Sequence, residues 1–372
     1  MAELKHILFI VKKAAQFDVP LFQYIHQLND AVKFTVLYIE SPLKNTNDKE
    51  LNKDSKWGID LVNNYTWNCL EQSSVESISL YIKSKSPDVV ITNGYQNVYA
   101  PYVKAAMALK LPLLLRIDSV LFGKSPLSKL VRKFTMKFAY RSFKSFMTTG
   151  KKGYEYLDFI GIKKKQQSWF PYCVNNEFFK RSLPTNEWIE QHNIKADIPT
   201  ILCVCKFIDR ENPLELLEAF IQLNRTDIQL LMVGDGHLME VIQTTIAKHP
   251  RLNIVLLGYV NYNQLPFVYR LSNIFVHPAL DEPWGVSVQE AIASGCAVVA
   301  SSRVGSAYDL IDEGKNGYIY QVGDVLALAA SINNALNFKK EDVLKTNHQK
   351  LITWNYGNVW NDIKDTCNKV IA

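Results

Sequence analysis

The stretch from His277 to Ser302, "HPALDEPWGVSVQEAIASGCAVVASS", decides the fold prediction. An apolar run ends at about His277, and a Pro-Trp-Gly corner follows it. The segment "VSVQEAIASG" then has the apolar spacing of a helix that stops at Gly295. A second apolar run, "CAVVASS", comes next. Strand, helix and strand in this order predict parallel strands joined by a right-handed crossover.

The same alternation runs through both halves of the chain. The apolar runs of the first half are "HILFIV", "KFTVLYIE", "PDVVITNG", "LPLLLRID" and "SFMTTG". Those of the second half are "PTILCVC", "IQLLMVGDG", "LNIVLLG", "NIFVHPA", "CAVVASS" and "GYIY". Helix-length segments separate them, so the sequence predicts an α/β protein with two doubly wound parallel sheets.

The domain boundary is placed in "FPYCVNNEFFKRSLPTNEW", a polar stretch with prolines. We expect residues 1–174 to form the first Rossmann-like domain and residues 175–350 the second. The tail 351–372 has helical spacing and is predicted to pack as a final helix that can cross back to the first domain. The segment Ser41–Trp67 is polar and rich in Asn and Lys, which indicates a long loop or insertion.

Composition excludes several classes of protein. The chain has 372 residues, enough for two domains, and 48% of them are hydrophobic without a low-complexity tract, which excludes a disordered or fibrous chain. No apolar run approaches the roughly 20 residues that span a bilayer, so we expect a cytoplasmic protein. None of the 6 cysteines has C-x-x-C spacing. They are expected to be reduced and buried, without structural zinc, and Cys203 and Cys205 should share one face of a strand.

Positive charge is concentrated in one segment. The formal net charge is +6, but Ser119–Tyr154 contains nine basic residues and no acidic one. Cations recur every four residues at Lys129, Lys133, Lys137 and Arg141. An apolar stripe at helical spacing comprises Leu127, Leu130, Val131, Phe134 and Phe138. The segment predicts a basic amphipathic helix, whose apolar side either covers a core or docks on an anionic membrane surface. Nucleic acid is not an expected partner, because no recognised nucleic-acid module is present.

The Pro-Trp-Gly corner opens a predicted helix N-terminus. Unpaired amides and a partial positive charge there suit a diphosphate or the polar edge of a sugar, and Gly285 allows close approach to the backbone. Glu282 is expected in the loop before the helix and Glu290 in its first turn, where both carboxylates can accept hydrogen bonds from sugar or ribose hydroxyls. Ser287 and Glu290 also fit a capping box, in which Glu290 serves only its own helix.

Cations follow another strand end. Lys206 comes just after "PTILCVC", and Arg210 lies four residues on, before a helix expected to begin near residues 212–213. Two cations at the carboxyl edge of a parallel sheet can neutralise a phosphate. Alternatively, Arg210 pairs with a neighbouring acidic residue on a surface loop. The stretch "VGDGHLME" adds Gly234 at a further strand end, but Met239 stands where G-x-G-x-x-G has its third glycine, so a dinucleotide site is disfavoured.

These elements, in their order, resemble the retaining family 4 glycosyltransferases of GT-B fold. The motifs that carry the resemblance are "KFIDREN", "LMVGDG", "LLGYV", "FVHPALDEPWGVSVQEAIASGCAVVAS" and "GKNGYIY". The likeness is strong over Pro199–Leu336; in the first half it rests on "DVVITNGY", "PLLLRIDS" and "FPYCVNNEFF". The loop "VKKAAQFDVP" lacks the glycine pair that many relatives carry. The resemblance implies two Rossmann-like domains that face each other across a cleft.

The resemblance also implies roles for individual residues. Glu282 contacts the donor-sugar hydroxyls in this interpretation, and Glu290 contacts the nucleotide ribose. Lys206 corresponds to the first cation of the family's basic pair, but strict spacing puts Glu211 at the second, so Arg210 is the candidate replacement. The other donor-side candidates are Trp284, Gly285, Val286, Ser287, Val288, Gly234, Gly258 and Tyr259.

The implied reaction moves a sugar, with retention, from a nucleotide diphosphate sugar to an acceptor hydroxyl in polysaccharide or glycolipid biosynthesis. The expected donor is of UDP or GDP type, with no metal and no further cofactor. The expected acceptor is a glycan or a lipid-linked molecule, and the enzyme is expected to be peripheral on the inner face of the membrane. Acceptor-side candidates are Arg116, Gly94, Gln16 and Asp118, the last also as a catalytic group or as a helix cap.

Two alternatives stay open at this point. A GT-B epimerase would isomerise the donor sugar without an acceptor; a phosphorylase is disfavoured because no pyridoxal-bearing lysine is identified. A non-catalytic sugar-nucleotide or glycan-binding subunit would keep the fold alone. Four intact residues argue against a binding subunit: Lys206, Glu282, Gly285 and Glu290. Glu211 and the missing glycine pair favour it mildly.

Overall fold

The computed structural model describes residues 3–43, 46–48, 53–55, 60–180 and 184–372. They form two compact units. The first contains residues 3–43, 60–173 and 355–372, and the second contains 174–354 with 46–48 and 53–55. Parts of the predicted loop Ser41–Trp67 and residues 181–183 of the boundary stretch lie outside the described residues.

The first unit is built on a seven-stranded parallel sheet. Its strands are β1 (His6–Val11), β2 (Lys33–Tyr38), β5 (Trp67–Cys69), β6 (Val89–Thr92), β7 (Leu113–Ile117), β8 (Ser145–Thr148) and β9 (Gln167–Trp169), in the order β5-β2-β1-β6-β7-β8-β9. Its helices are α1 (Val19–Gln27), α2 (Val75–Lys85), α3 (Ala100–Ala108), α4 (Pro126–Ala139), α5 (Lys151–Phe159) and, at the end of the chain, α15 (Tyr356–Ile371). A short antiparallel ladder, β3 (Thr46–Asp48) with β4 (Lys53–Ser55), precedes β5 in the chain.

Both faces of this sheet are covered. Ile7 and Phe9 of β1 enter one buried apolar cluster, and the alternating residues Leu8 and Ile10 enter another. A strand buried on both faces needs apolar residues at every position, which is why these strands read as continuous apolar runs rather than as alternating patterns.

The second unit contains a six-stranded parallel sheet. Its strands are β10 (Thr200–Val204), β11 (Gln229–Val233), β12 (Asn253–Gly258), β13 (Ile274–His277), β14 (Ala297–Ser301) and β15 (Gly317–Tyr320), in the order β12-β11-β10-β13-β14-β15. Its helices are α6 (Asn176–Phe179), α7 (Asn186–Gln191), α8 (Pro213–Leu223), α9 (Met239–Ala247), α10 (Leu265–Leu271), α11 (Val286–Ser294), α12 (Ala307–Leu310), α13 (Val325–Ala335) and α14 (Lys340–Thr353). The sulfurs of Cys203 and Cys205 lie 3.5 Å apart, which confirms that they share a face.

The prediction of two doubly wound parallel sheets is confirmed. Eleven apolar runs were predicted as strands, and each contains one of the strands of these sheets. The sequence missed β5 and β9, the edge strands of the first sheet. Each is only three residues long, "WNC" and "QSW", and has no apolar run to identify it.

The predicted final helix is α15, and it packs within the first unit. Asp30 in the loop before β2 accepts hydrogen bonds from the Trp360 indole (2.9 Å) and the Lys364 ammonium (2.7 Å). Partial burial alone would raise the pKa of Asp30, but these two donors outweigh it and lower the pKa to about 2. The helix is therefore tied to this unit by a charged contact as well as by apolar packing.

The predicted basic helix is α4, and its apolar stripe does not face a core. No residue of α4 is buried, and the large apolar side chains of the stripe are exposed. This corrects the expectation of a helix whose stripe covers a core. Among the described residues, no helix is long and apolar enough to cross a membrane.

Candidate active site of the second unit

The order of the second sheet locates a ligand crevice. The chain proceeds from β10 outward through β11 to β12 and then returns to β13 on the other side of β10. The loops after β10 and β13 therefore leave the sheet at its topological switch point, where open α/β sheets bind ligands. The two loops are joined by a hydrogen bond, in which the Leu280 amide donates to the Arg210 carbonyl over 2.8 Å.

Arg210 bridges two carboxylates at this crevice. Its Nη1 lies 3.1 Å from Oε2 of Glu282, and its Nη2 lies 2.6 Å from Oε1 of the buried Glu211. The structure thus brings together Arg210 and Glu282, 72 positions apart in the chain. Lys206, the other predicted cation, is half-buried in the same loop. The pKa of Glu282 is raised by burial, although the Arg210 charge and the Trp284 amide partly oppose that shift.

The corner before α11 requires glycine at one position. Gly285 is the N-cap residue of α11 and has φ +87°. A Cβ at this position would lie 3.0 Å from the Val304 side chain and 3.1 Å from the His277 ring. Only glycine combines this backbone conformation with such close neighbours.

Two amides of the corner donate to protein acceptors, and two others are available to a ligand. The Trp284 amide donates to Oε1 of Glu282 (3.3 Å), and the Val288 amide donates to the Gly285 carbonyl (3.2 Å). The amides of Val286 and Ser287 have no acceptor among the described residues. They are the first two of the helix, so they can bind an anion where the helix dipole is positive. The Trp284 side chain is buried and stacks on Trp354 (5.0 Å between centroids).

The loop after β14 braces the corner, and the sequence analysis did not identify it. The Glu282 amide donates to the Arg303 carbonyl (3.0 Å), and the Gly305 amide donates to the Glu282 carbonyl (2.9 Å). The Ser306 hydroxyl donates to the Gly285 carbonyl (3.0 Å). A Cβ at Gly305 would lie only 1.9 Å from the Pro283 carbonyl oxygen, so the glycine in "RVGS" was the available signal.

Glu290 is a buried carboxylate with a tyrosine partner. The Tyr269 hydroxyl donates to its Oε2 over 2.9 Å. Burial raises the pKa of Glu290 from 4.5 to about 7, although this hydrogen bond works in the opposite direction. The capping-box interpretation is wrong, because α11 has Gly285 as its N-cap and Ser287 lies inside the helix. Glu290 consequently lies in the second turn, where it cannot reach the N-cap amide.

His277 forms part of the floor of the site. Its ring is buried, and Nδ1 has no hydrogen-bond partner in the described part of the chain. Burial, with the nearby Arg210 charge, lowers its pKa to about 4, so the ring is neutral at pH 7. Glu211, His277 and Glu282 offer metal-ligand atoms within 4.8 Å of one another. Arg210 forms ion pairs with both carboxylates of this cluster.

Two further predicted glycines lie at strand ends, and they differ in the space around them. Gly234 follows β11, and a Cβ there would lie 1.9 Å from the Cys205 carbonyl oxygen. The backbones of the loops after β10 and β11 are therefore in contact. Gly258 ends β12 at φ +66° with open space around its Cβ position. Tyr259 follows it and is 51% exposed, so its ring is accessible to a ligand.

Arg116 in the first unit is a buried cation with several protein partners. Its Nη1 lies 2.6 Å from Oδ1 of Asp18, and both side chains are almost fully buried. Its guanidinium lies over the rings of Phe170 (3.8 Å) and Tyr172 (4.1 Å). It also donates to the carbonyls of Phe170 and Pro171. Each guanidinium nitrogen of Arg116 thus donates to a protein group, and its acceptor-side role stays a prediction.

The other first-unit candidates lie at the carboxyl ends of strands. Asp118 is exposed after β7 and accepts a hydrogen bond from the Tyr172 hydroxyl (3.2 Å). It does not cap a helix, since Ser125 is the N-cap of α4. Gly94 follows β6, and a Cβ there would lie 2.4 Å from the Tyr99 ring.

Gln16 is half-buried in the turn between β1 and α1. This turn is tied down without the glycine pair, by the buried Asp18 and by the Lys12 amide, which donates to the Tyr99 hydroxyl (3.1 Å).

Comparison with known sequences finds similarity to one family in the second half of the chain. Residues 184–350 match the family model described as "Glycosyl transferases group 1". The chain is 30% identical over 156 residues to the sulfoquinovosyl transferase SQD2 of Arabidopsis thaliana, which is 41% of this chain and 29% of the relative. It is 22% identical over 216 residues to the alpha-monoglucosyldiacylglycerol synthase of Acholeplasma laidlawii, 55% of this chain and 52% of that one. The chain thus spans about half or less of these relatives.

Comparison with solved structures concerns the whole fold. A glycosyltransferase from Rickettsia africae matches with a TM-score of 0.77 at 16% identity, over 99% of both chains. Anabaena Alr3699/HepE, solved in complex with UDP, matches with a TM-score of 0.77 at 16% identity, over 98% of this chain and 100% of that one. At this identity the likeness establishes the architecture. The structural likeness shows a GT-B architecture, and within it residues 184–350 are similar to the group 1 glycosyl transferases.

Proposed function

We propose that this protein is a retaining glycosyltransferase of family 4, which moves a sugar from a nucleotide diphosphate sugar to an acceptor hydroxyl. The observation that carries the proposal is the pairing of Arg210 with Glu282 beside the α11 N-terminus, at the switch point of the second sheet. The site combines a cation, a carboxylate and open amides, which are the groups that a sugar diphosphate requires.

Each part of the donor has a matching group. The amides of Val286 and Ser287, together with Lys206, bind the diphosphate and stabilise the charge that develops on it as it leaves. Arg210 adds a second cation, which Glu211 holds in place. Fixed donors of this kind typically lower a barrier by about 3 to 4 kcal/mol each.

The two glutamates recognise hydroxyl groups in this proposal. Glu282 is only partly exposed and pairs with Arg210, and its carboxylate accepts further hydrogen bonds from hydroxyls of the transferred sugar. Glu290 accepts hydrogen bonds from the ribose hydroxyls. Among the described residues its buried carboxylate has one hydrogen-bond partner, the Tyr269 hydroxyl. Retention then needs no protein nucleophile, since the leaving phosphate takes the acceptor proton.

The donor is of UDP or GDP type, and the acceptor is a glycan or a lipid-linked molecule at a membrane surface. Support for a lipid-linked acceptor comes from the name of one relative, an alpha-monoglucosyldiacylglycerol synthase. The exposed apolar stripe of α4 supports it as well.

The test is a transfer assay with a panel of UDP-, GDP-, ADP- and dTDP-sugars and with membrane extract or oligosaccharides as acceptor. We expect one nucleotide series to release nucleoside diphosphate only when acceptor is present, and the anomeric proton coupling of the product to match that of the donor. The Arg210→Ala variant should lose roughly 100-fold in turnover, and Arg210→Lys should recover part of it.

The other outcomes identify the alternatives. Isomerised sugar without acceptor indicates an epimerase, and tight donor binding without turnover indicates a binding subunit. An inverted anomer contradicts the retaining mechanism.

A further inference from the structure

Helix α4 presents an unpartnered apolar face. Five large apolar side chains, which we call the apolar arc, are between 51% and 72% exposed: Leu127, Leu130, Val131, Phe134 and Phe138. At 100° per residue they fall within an arc of about 100° on the helix surface. Isolated exposed apolar residues are ordinary, but a contiguous row of five on one helix marks an interaction surface.

The opposite side of α4 attaches the helix to the first unit. Arg132 donates to the Tyr156 hydroxyl (3.0 Å) and to the Ser119 hydroxyl (3.1 Å). Met136 and Ala139 pack against the apolar cluster on that side of the sheet. These three residues lie about 130° to 170° from the centre of the apolar arc, so the helix is held by one face and displays the other.

Cations lie along one flank and at one end of the apolar arc. Lys133 and Lys137 are exposed along one flank of it, and the Arg141 guanidinium lies 3.8 Å from the ring centre of Phe138 at its end. The segment Ser119–Tyr154 contains nine basic residues and no acidic one. The surface of α4 therefore combines an apolar ridge with exposed lysines along one side, and the helix itself has no acidic residue.

We propose that the apolar arc docks α4 on the surface of an anionic lipid bilayer, with the helix in the plane of the interface. Aromatic and aliphatic side chains enter the boundary between headgroups and acyl chains, while lysines and arginine contact the anionic headgroups. Charge complementarity selects this occupant over a second copy of the chain, because two copies of α4 would bring like charges together. The inference rests on the proposed function, to which it adds a docking surface. Vesicle binding is measured without donor or acceptor, so a failure of the docking proposal can be distinguished from a failure of the proposed transferase function.

The experiment is co-sedimentation of the full chain with two kinds of vesicle. One is phosphatidylcholine alone, and the other also contains about 30% phosphatidylglycerol, which supplies the anionic surface potential. We expect binding to the anionic vesicles and much weaker binding to the neutral ones. Replacing Lys133 and Lys137 by Gln should weaken binding about 25-fold, since each cation near an anionic surface contributes about fivefold.

A second variant tests the apolar contribution. Phe134→Ser with Phe138→Ser should weaken binding by about tenfold for each ring, and both changes are at exposed positions, so folding and nucleotide binding should be unaffected. Matched controls remove charge and apolar area elsewhere: Lys340→Gln with Lys345→Gln on α14, and Leu326→Ser, which is 64% exposed on α13. These controls should bind like the unmodified protein.

The proposal is overturned if the α4 variants and the controls sediment alike. It is also overturned if the protein does not bind anionic vesicles, or if sedimentation velocity shows self-association that the Phe134→Ser, Phe138→Ser variant abolishes. In the last case a second copy, not a bilayer, covers the apolar arc.

Discussion

Replacing Glu290 by Gln should stabilise the protein at alkaline pH while impairing nucleotide binding. Burial raises the pKa of Glu290 from 4.5 to about 7 in the folded protein. Each unit of pKa corresponds to about 1.4 kcal/mol, so the ionised carboxylate costs about 3 kcal/mol of folding free energy. Gln keeps an acceptor for the Tyr269 hydroxyl but carries no charge, and it should recover most of that cost.

The sign of the pH dependence follows from proton binding. Between pH 4.5 and pH 7 the folded protein keeps the proton on Glu290, whereas the unfolded chain has released it. The free energy of unfolding therefore falls as pH rises through this window, and the deficit is constant above it. The gain from Glu290→Gln should be small at pH 4.5 and full at pH 8.

The assay is thermal unfolding at several pH values between these limits. For a unit of this size, 3 kcal/mol corresponds to an increase of about 6 to 12 °C in Tm at pH 8. Glu218→Gln, at an exposed position of α8 in the same unit, is the matched control and should leave Tm nearly unchanged. An equal gain at pH 4.5 and pH 8, or no gain at pH 8, would refute the view that Glu290 is held in an unfavourable environment for function.

Three further predictions concern the site and its scaffold. Gly285→Ala should weaken nucleotide-sugar binding at least about tenfold in titration calorimetry, because a Cβ at φ +87° meets the His277 ring; unchanged affinity would show that the corner does not contact the ligand. Arg116→Met should cost about 3 to 5 kcal/mol in urea unfolding by leaving Asp18 buried without its partner, and adding Asp18→Asn should recover most of it; a loss below about 1 kcal/mol would contradict the buried ion pair. Transfer should continue at its full rate in excess EDTA, since Arg210 bridges the carboxylates of the site, and inhibition that Mg²⁺ reverses would assign the Glu211 cluster to a metal.

The fold was largely predictable because its strands are buried on both faces. Each central strand is a continuous apolar run. Because helices alternate with these strands along the chain, two parallel sheets are the expected fold. The edge strands β5 and β9 were missed, because a three-residue strand on one edge of a sheet need not be apolar. Their position depends on the neighbouring strand rather than on their own sequence.

The site was predictable only where local sequence determines geometry. Gly285 and Glu282 were identified because a glycine corner between a buried strand and a helix fixes the local backbone and places the preceding residues at the helix N-terminus. The ion pair of Arg116 was not predicted, since its partner Asp18 lies 98 positions away and nothing near Arg116 in the sequence indicates it. Glu290 could not be separated from a helix cap until the first residue of α11 was known.

The contacts of Arg210 were also only partly predictable from the local sequence. Its sequence neighbourhood offered either a phosphate ligand or a pair with a neighbouring acid. The structure shows a pair with Glu211 and a second contact, to Glu282, that only the adjacency of β10 and β13 creates.

The most direct test of the central claim is calorimetric titration of UDP- and GDP-sugars into the purified protein and into the Glu290→Gln and Arg210→Ala variants. Our account predicts one site per chain for one nucleotide series and weaker binding of that series to both variants. Arg210→Ala should weaken binding of the free nucleoside less than it weakens binding of the nucleotide sugar. Equal affinity in all three proteins, or no binding by any donor, would contradict a nucleotide-sugar site at the α11 N-terminus.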